Sequence, residues 1–253
     1  AVVTSDHRGN MGMHYTSVPN IMKVIEPLFL DELYLEFEKA YENKSKLQML
    51  LNRLAKIKIF DPACGSGNFL IIAYKKLRQL EMSIMQRIDS LSKEKTFQFS
   101  EIKLTQFYGI ELDDFAHEVA MLSLWLAEHQ MNLEFYKAFG RTSPSLPLQN
   151  GGNIVHGNAT RLDWEEVCPK NVGDEIYILG NPPYLGQRNQ QKEHQLDMDF
   201  VFTGKINYKN LDYIACWFLV ASKYIANESN CKFAFVSTNS INQGTQVEML
   251  WSH

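Results

Sequence analysis

Two short stretches of the sequence combine residue types that can do chemistry. The first, DPACGSGNFL, covers Asp61–Leu70 and follows an apolar run that ends at Phe60. Its glycines would open a helix at Asn68, so backbone N–H groups would face the carboxyl end of a strand. No Lys-Ser or Lys-Thr follows, which excludes a P-loop, and Leu70 replaces the third glycine of a dinucleotide fingerprint. The turn therefore fits a nucleoside with a small charged tail better than a pyrophosphate.

The second stretch, NPPY, begins at Asn181, directly after the apolar run Ile176–Gly180. The Asn181 side-chain oxygen and the Pro182 carbonyl offer two hydrogen-bond acceptors. The two prolines stiffen the turn and remove competing N–H donors, and Tyr184 can stack on a planar ring. Taken alone, these residues are equally typical of a β-turn, because Asn-Pro is common in turns.

Polar residues also follow two other strand-like runs. Glu111 ends the run FYGIE, where a carboxylate can bind the ribose hydroxyls of an adenosine-containing ligand. Asn158 and Ala159 follow the run NIVHG, and the Asn158 amide could read an adenine edge. Singly, an acidic residue after a strand is usually a helix N-cap, which is an alternative for Asp113. The ordered succession of these residues is what favours an adenosine-containing ligand.

The elements that must position these residues alternate between strand and helix. Helical patterns cover Asn68 to about Ser90, Asp113 to about Met131, and Leu211 to about Ala226. The alternation predicts an α/β fold, a parallel sheet with helices on both faces. The predicted strands are Lys56–Phe60, Phe107–Glu111, Asn153–Gly157, Glu175–Gly180 and Lys232–Ser237.

The remaining segments are assigned more coarsely. Pro19 to about Leu54 reads as two or three helices that form an N-terminal cap, with a break or kink at Pro27. The insert Arg78–Thr105 is predicted to be a longer helix followed by a surface loop. Two segments without periodicity, Phe139–Gly152 and Leu185–Asn207, are predicted loops. A further helix is expected to begin near Gly244.

One of these helical patterns shows the periodicity clearly. In the segment that begins at Asp113, apolar residues recur at three- and four-residue steps, which is the spacing of an amphipathic helix. The residues that carry this prediction are Phe115, Val119, Leu122 and Leu126.

Together, DPACGSGNFL, the Glu111 strand, Asn158 and NPPY resemble the adenine-N6 DNA methyltransferases of restriction-modification systems, which use S-adenosylmethionine. The stretch Gly12–Pro19 is similar to the first cofactor motif of that family. The resemblance extends from about Gly12 to Leu250. It is closest to the large enzymes that fuse methylase, target recognition and often nuclease in one polypeptide.

The resemblance implies a Rossmann-like fold and a role for each matching residue. Thr16 and the backbone of Ala63–Gly67 would hold the methionine end of the cofactor, Glu111 the ribose, and Asn158 the adenine amino group. At the Asn158 position the family often has Asp. The implied catalytic residues are Asn181, Pro182, Pro183 and Tyr184. The implied cofactor-binding residues are Tyr15, Thr16, Asp61, Ala63, Cys64, Gly65, Gly67, Glu111, Asn158 and Ala159.

The resemblance also sets expectations for domain organisation. Residues 1–55 form the helical segment with the first cofactor motif, and residues 56–253 form the catalytic core. Residue 1 is not Met and the chain stops in a predicted helix, so we expect a fragment that lacks the last strands of the sheet. We expect DNA as partner, gripped largely by a recognition domain elsewhere. This chain should therefore bind cofactor better than it methylates.

The composition of the chain argues against several classes of protein. The net charge of −4 and the pI of about 6.0 do not suggest a stand-alone nucleic-acid binder. No apolar run approaches the roughly 18 residues of a membrane span, and no signal peptide is recognisable, which favours a cytoplasmic location.

The four cysteines are predicted to be free and mostly buried. The seven histidines share no ligand spacing, so no metal is predicted. No pattern in the sequence indicates the oligomeric state.

Two other functions remain open at this point. Protein-glutamine and RNA-guanine methyltransferases also use N-P-P-Y around a planar amide or amine, but they usually lack the Tyr15-Thr16-Ser17 element and the long insertions. A cofactor-binding remnant without activity is the other alternative.

Overall fold

The computed structural model describes residues 16–92, 99–141, 152–205, 207–226 and 228–251. Its centre is one sheet of five parallel strands in the order β3-β2-β1-β4-β5, so the predicted Rossmann-like α/β architecture is confirmed. The strands are β1 Ile57–Asp61, β2 Phe107–Glu111, β3 Asn153–His156, β4 Glu175–Gly180 and β5 Cys231–Phe235.

Strand bounds differ from the predicted ones by one or two residues at three of the five strands. β1 begins and ends one residue later than predicted, because Asp61 still pairs with Gly109 of β2. Asp61 therefore belongs to the strand rather than to the turn, and its side chain is buried. β3 ends one residue before the predicted Gly157, and β5 begins one residue before its predicted start and ends at Phe235.

Helices cover both faces of the sheet, as predicted. Ile59 and Tyr177 point into a cluster shared with α1 to α5, whereas Phe60 and Ile178 point into a second cluster with α6 to α9. Alternate strand residues thus serve opposite cores. The helices are α1 Val18–Ile25, α2 Asp31–Ala40, α3 Lys44–Leu54, α4 Asn68–Leu91, α5 Asp114–Phe139, α6 Trp164–Val167, α7 Lys192–Val201, α8 Ala215–Ile225 and α9 Thr245–Trp251.

The N-terminal helices are part of the first core. Ile21, Leu33 and Leu47, one from each of α1 to α3, are buried in the same cluster as Ile57 of β1. At Pro27 the chain does not break: a π-helical turn, Glu26–Leu30, joins α1 to α2. Proline lacks the N–H of a regular helix, and the wider turn accommodates it. The domain division at residue 55 stays a prediction.

The helix predicted from Asp113 is present as α5, but most of the apolar residues whose spacing predicted it lie on its exposed side. Phe115 is 75% exposed and Leu122 and Leu126 are 46% and 44% exposed, while Ala120 and Leu124 are fully buried. Apolar residues follow both sides of this helix, and periodicity alone cannot choose between two such sides. The face with alanines faces the sheet and α4 because small side chains allow close packing.

The same helix is longer than predicted. It continues from Asp114 to Phe139, beyond the predicted end near Met131, and stops at Gly140, whose φ is +69°. Of the predicted loop Phe139–Gly152, only Phe139 lies in this helix. Residues 142–151 of that loop lie outside the described residues, as do residues 93–98 of the loop predicted after α4.

The prediction of a loop over Leu185–Asn207 is also wrong. The segment contains a short 3-10 turn, Gln187–Asn189, and the ten-residue helix α7. Its polar composition concealed a helix of which only Asp197, Met198 and Val201 are buried. α8 begins at Ala215, later than the predicted Leu211. Within the described residues, no helix has the length and apolar character needed to cross a bilayer.

Candidate active site

The two motifs meet at the carboxyl ends of the central strands. β4 pairs with β1, with Ile178 opposite Phe60, so the NPPY tip lies beside the glycine turn. Strand order reverses between these two strands, which is where open α/β sheets bind ligands. A cavity of about 370 Å³ opens here. Among the predicted site residues, its lining includes Ala63, Glu111, Asn158, Ala159 and Pro183.

The glycine turn uses left-handed backbone at two positions. Gly65 has φ +55° and Gly67 has φ +84°, conformations that glycine adopts without steric cost. A side chain at Gly65 would meet no atom within 4 Å, so this backbone borders open space. Gly67 is the N-cap of α4, and an added Cβ there would lie 3.4 Å from Ala120 of α5.

Glu111 joins this turn to the end of β2. Its Oε2 accepts a hydrogen bond from Gly65 N at 2.7 Å, and its Oε1 accepts one from Asp113 N at 2.9 Å. Asp113 also caps α5, accepting from Ala116 N at 2.7 Å. A carboxylate oxygen can accept more than one hydrogen bond, so Glu111 can still accept from a ligand in the cavity.

Asp61 is buried between the two motifs. Its Oδ1 accepts from Ala63 N at 3.1 Å, and its Oδ2 has no hydrogen-bond partner among the described residues. Burial, together with the negative charge of Glu111, raises the pKa of Asp61 to about 8 although the hydrogen bond from Ala63 N opposes the shift. An added Cβ at Gly180 would lie 2.4 Å from Asp61 Oδ1, so glycine is required at the end of β4.

Cys64 contributes its backbone rather than its thiol to this region. Its side chain is buried below Gly109, where an added Cβ would lie 3.0 Å from the Cys64 Sγ. Burial raises the pKa of this thiol well above its ordinary value. All four cysteines are free and buried, as predicted.

The NPPY tip presents an unpaired acceptor. Asn181 Nδ2 donates to Thr16 Oγ1 at 3.0 Å, whereas the buried Asn181 Oδ1 accepts no hydrogen bond from the described residues. Pro182 is buried and Pro183 faces the cavity. Tyr184 is half-buried against the second core, and burial raises its pKa.

The Asn158 amide is already engaged within the protein. Its Oδ1 accepts from Thr160 N at 2.9 Å and from Thr160 Oγ1 at 2.7 Å, and its Nδ2 donates to Asp197 Oδ2 at 2.9 Å. An amide oxygen has two lone pairs, so contact with an adenine amino group requires release of Thr160. The predicted role of Asn158 stays a prediction. Ala159 is buried, and its carbonyl accepts from Trp164 Nε1 at 2.8 Å.

The sequence of the chain matches a known protein family. A family model described as the MmeI DNA-methyltransferase domain matches residues 37–253. The chain belongs to this family.

Individual relatives of this MmeI-type domain are restriction-modification proteins or DNA methyltransferases. DNA methyltransferase A of Bacillus subtilis is 54% identical over 253 residues, all of this chain and 29% of that protein. A putative type II restriction enzyme and methyltransferase of Methanocaldococcus jannaschii is 46% identical over 101 residues, 39% of this chain and 8% of that protein. The type IIL restriction-modification enzyme MmeI, solved with DNA, is 40% identical with a TM-score of 0.88, covering 99% of this chain and 33% of that one.

The family is one of DNA methyltransferase domains, and the relatives are named as DNA methyltransferases or restriction-modification enzymes, so the protein-glutamine and RNA-guanine alternatives are not favoured. The chain spans a third or less of the length of each relative.

Several residues of the MmeI-type site were not assigned a role from sequence. Tyr213 and Trp217 line the cavity from the turn before α8 and from α8 itself. Tyr213 Oη donates to Asp197 Oδ2 at 2.7 Å, and Trp217 Nε1 donates to the Pro62 carbonyl at 3.1 Å. From the sequence, the segment Leu211–Phe218 resembles a helix that walls the target pocket in the family and is equally typical of a core segment, so no residue in it is assigned a role. No sequence feature indicated a role for Asp197, because it lies in the polar segment that was predicted to be a loop.

Two further features stay predictions, as do the roles of the other predicted site residues. Tyr15 lies outside the described residues. Asp114, His117 and Glu118 bring one possible ligand atom each within 4.8 Å, but two of them are exposed acids on one helical turn. His117 Nε2 lies 3.2 Å from the Ile154 carbonyl. The expectation that no metal binds stays a prediction.

Proposed function

We propose that the protein transfers a methyl group from S-adenosylmethionine to the N6 amine of an adenine flipped out of DNA, as part of a restriction-modification system. Family membership supports methyl transfer to DNA. The adenine-N6 specificity rests on one observation above all, the unpaired and buried Oδ1 of Asn181 at the tip of β4.

An adenosine-bearing cofactor fits the cavity. Its volume of about 370 Å³ is within the range of small-molecule sites, roughly 300–1,000 Å³. Trp217 and Ile110 supply apolar walls and Glu111 supplies a carboxylate, while the buried Oδ2 of Asp61 is a polar atom without a hydrogen-bond partner among the described residues. When bound, S-adenosylmethionine supplies an electrophilic methyl group. The residues proposed to hold it are Tyr15, Thr16, Asp61, Ala63, Cys64, Gly65, Gly67, Glu111, Asn158 and Ala159.

The NPPY residues act on the amine. The lone pair of an adenine amine is delocalised into the ring, so the nitrogen is a weak nucleophile. Asn181 Oδ1 and the Pro182 carbonyl each accept one N6–H and favour a pyramidal nitrogen, while positioning supplies much of the acceleration. With the cofactor bound, the N–C bond would form as the S–C bond of the cofactor breaks, and the surplus N6 proton would leave to solvent. Pro183 stiffens the turn.

Tyr184 is the proposed partner of the flipped base. An amine inside a duplex is out of reach, and flipping costs a few kcal/mol, which stacking on an aromatic ring partly offsets. The net charge of −4 leaves most of the DNA grip to other parts of the protein. The relatives carry at least two thirds of their length outside the matched region.

The test is the Asn181→Ala variant of the full-length protein, with Asn52→Ala on the exposed surface of α3 as control. We expect Asn181→Ala to lower N6-methyladenine formation by at least about 10³-fold, since the transition-state acceptor is lost. Affinity for S-adenosylhomocysteine should change by less than about threefold. Mass spectrometry of nucleosides and titration calorimetry measure the two. Methylated cytosine in place of methylated adenine would refute the specificity, and equal loss of both properties would make Asn181 structural.

A further inference from the structure

We propose that Thr16 is a positioning residue that orients the Asn181 side-chain amide and couples this orientation to cofactor binding. The inference rests on the proposed function, because it concerns how the acceptor in that reaction is presented. The observation that carries it is the hydrogen bond from Asn181 Nδ2 to Thr16 Oγ1, with Asn181 Oδ1 left unpaired.

The position of Thr16 is set by the N-terminal helices. Thr16 is only 9% exposed and directly precedes Ser17, the N-cap of α1. The Ser17 carbonyl accepts from Asn20 N and Ile21 N at 2.9 and 3.0 Å, which fixes the start of the helix. Ile21 in turn is buried in the first core. The hydroxyl of Thr16 is therefore held against the β4 tip by packing of the whole α1 segment.

The orientation of the amide decides whether the site can work. A half-turn about the Asn181 Cβ–Cγ bond exchanges the oxygen and the NH₂ group with almost no change of shape. The exchanged amide would point N–H at the N6–H of adenine, and one of the two acceptors would be lost. Packing cannot distinguish these two states, so a hydrogen-bond partner must do so.

A threonine hydroxyl alone is ambiguous, since it both donates and accepts. Once its own proton is donated to another group, the Thr16 hydroxyl can only accept from Asn181. If the Thr16 O–H donates to the carboxylate of the methionine end of the cofactor, its oxygen can only accept. Only Nδ2–H of Asn181 then fits, and Oδ1 is left for the substrate. A bound cofactor would thus set the amide before the base arrives.

The experiment combines substitutions at both positions in the full-length protein. Thr16→Val keeps the shape and removes the hydroxyl, and Thr16→Ser restores it. Asn181→Asp provides a symmetric acceptor, because the two carboxylate oxygens are equivalent and need no orientation. The measurements are kcat for adenine methylation, affinity for S-adenosylhomocysteine and the thermal unfolding midpoint.

We expect Thr16→Val to lower kcat by about tenfold with asparagine at 181, which corresponds to about one lost hydrogen bond. Thr16→Ser should recover most of the loss. In the Asn181→Asp background, Thr16→Val should cost less than about twofold in kcat. An equal loss in both backgrounds would overturn the proposal and make Thr16 a residue of cofactor binding or folding.

The orientation of the Asn181 amide can be measured without any methylation activity, so this inference can be tested independently of the proposed function. If the wild-type protein methylates no adenine, the proposed function fails. Crystal structures with S-adenosylhomocysteine, at a resolution that shows hydrogen atoms, then decide the orientation. We expect Asn181 Nδ2 towards Thr16 in the wild type and mixed amide orientations in Thr16→Val. A single unchanged orientation in the variant would refute the positioning role.

Discussion

The carboxyl group of Asp61 lies where the glycine turn and the NPPY tip meet, and burial holds it largely neutral at pH 7. With a pKa of about 8, against an ordinary value of 3.8, the folded protein keeps a proton that the unfolded chain releases. Between these two values stability falls as pH rises, because the folded state binds more protons than the unfolded state. The Asp61 contribution is therefore most favourable below about pH 4 and is lost as pH rises to about 8.

We predict that Asp61→Asn removes this pH dependence from the cofactor-free protein. Compared with the wild type, the variant should gain stability progressively from pH 4 to pH 8, by up to about 1.4 kcal/mol for each pH unit. Urea unfolding at several pH values measures the difference. Asp199→Asn, at an exposed position of α7, serves as control. If the free energy of unfolding changed with pH in the same way for the wild type and for Asp61→Asn, the pKa of Asp61 would not be raised in the folded protein.

At the scale of elements, α7 closes one side of the cavity and is held there by Asp197. This carboxylate is 7% exposed. It accepts from Asn158 Nδ2, from Tyr213 Oη and from Arg161 Nε at 2.7–2.9 Å. These hydrogen bonds lower its pKa although burial opposes the shift. Asp197 thus links α7 to the residues after β3 and to the residues before α8.

We predict that Asp197→Ala weakens binding of S-adenosylhomocysteine by about tenfold and lowers the free energy of unfolding by about 1–3 kcal/mol. The physical reason is that Tyr213, Asn158 and Arg161 each lose a partner. Calorimetry and urea unfolding measure the two effects. Asp199→Ala, on the same helix, should change the cofactor affinity by less than about twofold. Unaltered affinity in Asp197→Ala would mean that α7 is not a wall of the cofactor site.

At the scale of the whole molecule, Arg53 of α3 connects the N-terminal helices to the sheet. Its guanidinium donates to Glu175 at the start of β4, at 2.6 and 2.9 Å, and to Glu32 and Glu36 of α2. These hydrogen bonds raise the pKa of Arg53, and they lower the pKa of Glu175 although burial opposes it. Because α1, α2 and α3 are buried in the same core and Thr16 lies two residues before α1, this connection also supports the site.

We predict that Arg53→Met lowers the free energy of unfolding by about 1–3 kcal/mol, because three carboxylates lose a shared partner. Lys232→Met is the matched control, since its ion pair with Glu32 is half exposed on both sides and should contribute under about 1 kcal/mol. Urea unfolding distinguishes them. Equal effects of the two substitutions would show that the Arg53 network adds no more than a surface pair.

The sequence by itself determined the fold class, the positions of five strands and the identity of the two motifs. Each of these follows from local chemistry: alternating apolar runs, glycines where φ is positive, and prolines where donors are unwanted. The periodicity of apolar residues did not indicate which side of α5 is buried, because both sides of this helix carry apolar residues. Polar helices such as α7 were missed for a related reason, because only three of their residues are buried.

Only the tertiary structure decided which residues share the site. β1 and β4 are neighbours because of strand order, and this adjacency brings Asp61 against Gly180. The contact between Thr16 and Asn181, and the engagement of Asn158 by Asp197, join segments far apart in the chain. Such contacts depend on packing of whole elements, and no local pattern of residues records them.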